Sequence, residues 1–285
     1  PDGSWLVTER SGALRMVATD GTLSDPITGL PELDARGQGG LLDVALAPDF
    51  AESRRVYLSY AKPVGDGLSA TAAAYGTLNE DMTALEDVTD IFVQSPGSTV
   101  DKHFGSRVVF DGDGHVYITT GEHSSPEYRV YAQDLDKTYG KVIRLTLDGE
   151  VPDGNAFVDQ EGAMPEIWSY GHRNPQGAAM DGDGRLWAVE HGARGGDEIN
   201  RIEPGTNYGW PEISYGTNYN GSKIGVGTEA EGMAQPEHFW DPSIAPSGMA
   251  ILSDAIPGWG GHFVIGSLKF DSLHVLDPED WSEEV

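Results

Sequence analysis

The sequence predicts an all-β protein, and three observations carry that prediction. Gly (38 residues) and Pro (17 residues) punctuate the 285-residue chain at short intervals, and the runs between them are rich in β-branched and aromatic residues. One such run, apolar and ending in polar residues, returns five times: SWLVTER at 4–10, RVYLSYA at 55–61, HVYITTGE at 115–122, RLWAVEHG at 185–192 and HFVIGSLK at 262–269. Helical periodicity is nowhere sustained, and the one candidate, 79–87, is short and polar.

Each recurring run has neighbours of a fixed kind. In four of the five copies an apolar strand precedes it, at 41–47, 106–110, 176–180 and 248–252; the first copy has none. A further strand follows each copy, at 13–17, 70–78, 141–145, 198–202 and 273–276. Units of about four strands repeated in this way are the sequence pattern of a β-propeller. We therefore expect a single propeller domain over 1–285, about five blades with both chain ends truncated, lacking the first inner strand and a final blade. The loops entering each inner strand and leaving each second strand then lie on one face, around a central channel. They carry Gln38, His103, Arg173, Asn174, Gln176, Trp240 and Lys269. The turns on the other face, such as 111–114 and 181–184, both Asp-Gly-Asp-Gly, read as punctuation. The first of them lacks the spacing of a helix-loop-helix calcium loop.

Composition excludes several partners. Lys plus Arg is 18 against 46 Asp plus Glu, a net charge of −28, and a field of that sign repels phosphate backbones and anionic lipid heads. Nucleic acid is therefore not an expected partner. No apolar run approaches the ~20 residues that span a bilayer, so no membrane insertion is expected. With no cysteine, disulfides, thiolate metal sites and cysteine nucleophiles are excluded. The chain starts at Pro1 without an initiator Met or a basic, apolar leader, and an export signal is expected to have been removed or to lie outside this sequence.

The richest stretch is 171–200, GHRNPQGAAMDGDGRLWAVEHGARGGDEIN. As a strand, turn and strand, it brings Arg173, Asn174 and Gln176 to the same sheet end as Glu190, His191 and Gly192. His103, just before an inner strand, reads either as a base that takes a proton from a hydroxyl near neutral pH or as a hydrogen-bonding link to the next blade. The 191–198 loop reads either as carbonyls and carboxylates suited to calcium or as a turn stabilised by its own Asp. Arg173 and Lys269 suit an anionic ligand such as a polycarboxylate. Trp240 either stacks on a flat ring or fills a gap between blades. Phosphate-loop, HExxH zinc and GxSxG nucleophile motifs are absent.

The ordered set GQGGLLDVALAPDF, HFGSRVVFDGDGHVYITTGE, GKVIRLTLDG, GHRNPQG, EHGARGGDEIN, NYGWP and WDPSIAPSG resembles the pyrroloquinoline quinone-dependent soluble sugar dehydrogenases, the glucose/sorbosone dehydrogenase family of six-bladed propellers. HFG with EHGARGGDEIN is closer to its broad aldose branch than to its glucose branch. The resemblance implies His103 as general base and places Gln38, Arg173, Asn174, Gln176 and Lys269 around the quinone, with Gln38 and Trp240 at the sugar side. It assigns the Gly192 and Ala193 carbonyls to a calcium ion (Ca2+) held with the cofactor, and Glu198 and Tyr208 to a second, structural calcium. The chemistry implied is oxidation of an aldose at its anomeric carbon to the lactone, with hydride transfer to the quinone, polarised by calcium and Arg173. An external electron acceptor, a homodimer and a periplasmic or secreted location also follow from the family.

Two positions depart from the pattern: Lys102 stands where the glucose branch has an acid, and Glu237 replaces an aromatic. The family also continues past Val285 into a blade with an arginine pair that reaches the cofactor. Two other functions fit the same mouth, a non-catalytic propeller binding a partner and a calcium-dependent lactonase. Loss of turnover on replacing His103 separates the first, and hydrolysis without quinone separates the second.

Overall fold

The computed structural model describes residues 3–285. Its first sheet is a two-stranded hairpin, β1 (Trp5–Glu9) and β2 (Ala13–Val17). The second comprises β3 (Leu41–Leu46), β4 (Arg55–Pro63), β5 (Ser69–Leu78) and β6 (Leu85–Val93), with a single helical turn, α1 (Phe50–Ser53), before β4. The third is β7 (Gly105–Phe110), β8 (His115–Thr120), β9 (Lys141–Thr146) and β10 (Ile167–Tyr170). The fourth is β11 (Pro175–Met180), β12 (Leu186–Glu190), β13 (Asp197–Ile202) and β14 (His238–Trp240), and the fifth β15 (Pro246–Ile251), β16 (Phe263–Ser267), β17 (Ser272–Leu276) and β18 (Glu283–Glu284). Every sheet is an antiparallel meander, as the short Asp-Gly turns require. The turns themselves are fastened by their first residue: Asp111 Oδ1 accepts the Asp113 and His115 amides, and Asp181 Oδ1 those of Asp183 and Arg185.

The sheets are joined face to face. One apolar cluster joins the first and second sheets through Leu14, Leu41, Leu58 and Tyr60. Another joins the second and third through Tyr57, Phe92, Ile118 and Ile143. A third lies between the third and fourth through Tyr117, Val142, Leu186 and Ile202, and a fourth between the fourth and fifth through Val189, Trp240, Phe263 and Ile265. Alternation along each strand gives a blade two apolar faces, and stacking buries both. The first strands of successive sheets, β3, β7, β11 and β15, pack side by side in that order, so their loops share one end.

Each of those four strands has a register shift near its start, between Leu41 and Val44, Gly105 and Val108, Pro175 and Gly177, and Pro246 and Met249. A bulge inserts a residue and re-aims the side chains beside it. Here it turns Asp43, Arg107 and Gln176 toward one another: Arg107 Nε donates to the Gln176 carbonyl at 2.5 Å and Nη1 to Asp43 Oδ1 at 3.3 Å.

Candidate functional site

At this shared end lies a cavity of about 560 Å³ whose wall includes Gln38, His103, Arg173, Asn174, Gln176 and His191. His103 sits in the loop before β7 with φ +51, almost fully buried. Its backbone N–H donates to Gln38 Oε1 at 2.8 Å, and its Nδ1 lies 2.8 Å from Glu122 Oε1. A carboxylate only accepts, so Nδ1 carries the proton and Nε2 keeps its lone pair. Among the described residues Nε2 has no hydrogen-bond partner, and the side chain lines the cavity. Burial lowers the His103 pKa below its ordinary 6.5, the Glu122 hydrogen bond raises it and Arg173 lowers it further; burial prevails.

Glu122 is held in turn. Its Oε2 accepts the Ser124 amide at 2.9 Å, and its own amide donates to the Arg173 carbonyl at 3.1 Å. Beside it, His123 is fully buried against Phe104 and Tyr139 with Nε2 2.7 Å from Gln94 Oε1. Burial pushes its pKa down to about 3, so His123 is a neutral prop for this loop.

Arg173 is buried, at 4% exposed. Its amide donates to Glu190 Oε2 at 2.6 Å and its Nη1 to the His191 carbonyl at 3.0 Å, while Nε has no protein partner. Glu190 also meets His172 Nδ1 at 2.9 Å, so the expected proximity of Arg173 to Glu190 and His191 holds, but through the backbone amide and not as a guanidinium–carboxylate pair. The side-chain amides of Asn174 and Gln176 brace β7, binding the Gly105 N–H and carbonyl at 3.1 and 3.2 Å.

Two expected residues fall elsewhere. Trp240, on the outer strand β14, is 7% exposed within the core between the fourth and fifth sheets, and its indole N–H donates to Glu283. It is not among the residues that line the cavity; pairing with β13 turns this ring inward, so that it fills the gap between blades, one of the two readings the sequence left open. Lys269 follows β16 at the rim, where its neighbour Leu268 reaches the cavity. Its own ammonium is exposed and donates to the Ser243 carbonyl at 2.8 Å. Glu122, which ends the recurring run HVYITTGE and to which the sequence alone assigns no role, is the further member of the site. The signal was available, since it ends the same strand-plus-acid motif as Glu190.

The 191–198 loop is folded tightly on itself. A Cβ on Gly192 would meet the Gly195 and Gly196 carbonyl oxygens at 2.2 Å, so only glycine lets these backbone oxygens converge. Glu198 and Tyr208 line a small cavity of about 10 Å³ with Glu190, near the least volume that admits one water or ion. Loss of solvent and the nearby Glu190 push the Glu198 carboxyl up to about 8, a carboxylate short of positive charge. These features fit a hard, oxygen-ligated cation. Among the described residues no cluster of three or more His, Asp or Glu is disposed to hold one, so backbone oxygens would supply most ligands. The Tyr208 hydroxyl is already spent, donating to the Arg201 carbonyl and accepting the Glu203 amide.

Comparison with known proteins is consistent along the whole chain. A family model described as Glucose / Sorbosone dehydrogenase matches residues 1–284. The chain is 49% identical over 275 residues to the aldose sugar dehydrogenase YliI of Escherichia coli K12, covering 95% of this chain and 73% of that protein. It superposes on the crystal structure of the apo-form of the soluble aldose sugar dehydrogenase from Escherichia coli with a TM-score of 0.95 and 46% identity, over 99% of this chain and 82% of that one. The PQQ-bound aldose sugar dehydrogenase from Streptomyces coelicolor gives a TM-score of 0.78 at 29% identity, over 100% of this chain and 78% of that one. No helix among the described residues is long and apolar enough to cross a membrane.

Proposed function

The chain belongs to the glucose/sorbosone dehydrogenase family and is an oxidoreductase, and from that premise we propose that it oxidises aldoses at the anomeric carbon to the lactone, with pyrroloquinoline quinone as cofactor and His103 as general base. The observation that carries this reading is the His103–Glu122 pair: a buried imidazole with Nδ1 spent on a carboxylate at 2.8 Å and the other nitrogen free in the cavity wall. Such an imidazole is oriented and tautomerically fixed to accept the proton of a hydroxyl.

Bound quinone would supply the two-electron acceptor, and Ca2+ the Lewis acidity that polarises it. Arg173, Asn174, Gln176 and Gln38 would hold the quinone, with the unpartnered Arg173 Nε and its half-free guanidinium offered to an anion. Lys269 would join them by exchanging its Ser243 carbonyl for a carboxylate. The Gly192 and Ala193 carbonyls would hold the cofactor's Ca2+, and Glu198 with the Tyr208 region the structural one. Gln38 fixes the His103 backbone and so the angle at which Nε2 meets a sugar hydroxyl.

In the ring we propose that these sheets are blades of a six-bladed propeller. Reduced cofactor must be reoxidised in every cycle, so an external electron acceptor is part of the proposal. A homodimer and a periplasmic or secreted location are proposed on the family resemblance. The test is His103→Asn in the quinone- and calcium-loaded chain. Turnover of aldoses with an artificial electron acceptor should fall by a factor on the order of 10²–10⁴, the usual worth of a general base, while quinone affinity stays. Undiminished turnover would remove His103 from the chemistry, and lactone hydrolysis without quinone would favour the lactonase.

A further inference from the structure

Two loops flank the cavity, 121–140 between β8 and β9 and 203–237 between β13 and β14, and apart from Glu122 and the residues that hold it neither has a part in the proton transfer. The first carries Arg129, on a short 3₁₀ turn (Arg129–Ala132). Its guanidinium lies 4.5 Å from the Trp210 ring centroid and donates from Nη1 to Asn218 Oδ1 at 3.1 Å. The second carries Asn218 and Tyr219. Tyr219 is 71% exposed, yet it lines both the His103 cavity and an adjoining pocket of about 150 Å³ that also includes Arg129 and Asn218. Its hydroxyl is 3.4 Å from Arg173 Nη2.

Both loops are pinned. The Lys141 ammonium, fully buried, donates to the Tyr131, Ala132 and Tyr139 carbonyls at 2.9, 3.0 and 2.6 Å, locking the turn that presents Arg129. Paired amide–carbonyl bonds between Arg194 and Thr217, at 2.9 and 3.1 Å, tie the second loop to the 191–198 segment, and the Asn218 Nδ2 donates to Ser222 Oγ and the Lys223 carbonyl, both at 3.1 Å. Held side chains lose little entropy on binding a ligand. Among the described residues Arg129 makes no ion pair within 4 Å, although acids outnumber bases 46 to 18 along the chain.

We infer that Arg129, Asn218 and Tyr219 form the sugar-recognising wall of this site, binding the hydroxyls of the aldose remote from its anomeric carbon. A planar guanidinium and an amide oxygen 3.1 Å apart present donors and an acceptor side by side to a pair of sugar hydroxyls, and the exposed phenol ring offers a flat face to the C–H face of a pyranose. The groups beside the guanidinium, the Asn218 amide and the Tyr219 phenol, are neutral donors and acceptors, so the ligand class is a neutral polyol. The inference rests on the dehydrogenase reading above and adds which residues set sugar preference.

Kinetics across aldoses that differ by a single remote hydroxyl test it, in the quinone- and calcium-loaded chain and its Arg129→Lys and Tyr219→Ala variants. In the unmodified chain, deleting a remote hydroxyl should raise KM. The variants should raise KM for the full aldose about tenfold, the worth of roughly one good hydrogen bond, with kcat changing far less, and they should no longer distinguish the deoxy sugar. A binding readout independent of turnover is saturation-transfer NMR with a 1-deoxy aldose, which has no anomeric hydroxyl to oxidise: its remote protons should be saturated by the unmodified chain and much less by Tyr219→Ala. Unchanged KM values, an equal rise for full and deoxy sugars, or weakened quinone binding in place of weakened sugar binding would overturn the inference. Absence of turnover with every aldose in the unmodified chain would instead sink the dehydrogenase reading itself, and is visible without any variant.

Discussion

A histidine with one nitrogen fixed on a carboxylate has one lone pair to use, and the pH range in which it is usable follows from its surroundings. Burial holds His103 below the ordinary 6.5, so the neutral base persists above that depressed value and is lost only as pH falls through it. The pH profile of kcat/KM should therefore stay flat through 6.5 and drop on the acid side of it. Glu122→Gln removes the contribution that raises this pKa, so the acid limb should move to still lower pH while the rate at neutral pH falls on the order of tenfold or more. A limb that stays in place would separate Glu122 from the base. At this scale the sequence was legible where a residue adjoins an inner strand: His103, Arg173, Asn174 and Gln176 converge because strand order alone sends them to one end. For Trp240 the sequence left two readings open, a face for a flat ring or a filler between blades, and the ring lies between the sheets. A strand run reveals that side chains alternate, not which side is the blade interior, and an aromatic in an outer strand is drawn to the apolar gap between sheets.

The strands and loops act as levers on those residues. The end of β8 passes so close to the His103 loop that a Cβ on Gly121 would lie 1.9 Å from the His103 carbonyl oxygen. Gly121→Ala must therefore push the two segments apart. It should cost on the order of 1–3 kcal/mol of stability by denaturant midpoint, and should lower turnover more than it lowers quinone affinity, because the same shift parts Glu122 from His103. Recurrent strands, their order and the Asp-Gly turns were all readable, since periodicity two and turn chemistry are local. The four bulges were not. They lie where the first strands of neighbouring sheets meet, a condition no single strand's sequence contains, and they bring Asp43, Arg107 and Gln176 into contact.

Across the whole molecule the acidic surface sets the response to salt. With a net charge of −28, self-repulsion weakens as the screening length drops from about 30 Å at ~0.01 M to about 3 Å at ~1 M ionic strength. The thermal unfolding midpoint should rise over that range, and a midpoint that falls would mean that attractive pairs outweigh repulsion. That the sheets share their cores pairwise was foreseeable from the repeat; that they gather two insertion loops over one cavity was not, because nothing local in 121–140 or 203–237 points to the other. In the proposed reaction the hydride leaves the anomeric carbon and the proton leaves its hydroxyl in one cavity. Its most direct test is the rate at which bound quinone is reduced by an aldose carrying deuterium at the anomeric carbon, followed by absorbance in the calcium-loaded chain. A primary isotope effect that vanishes with the signal in His103→Asn is the result expected. Reduction at equal rates with hydrogen and deuterium, or reduction unaffected by the loss of His103, would contradict it.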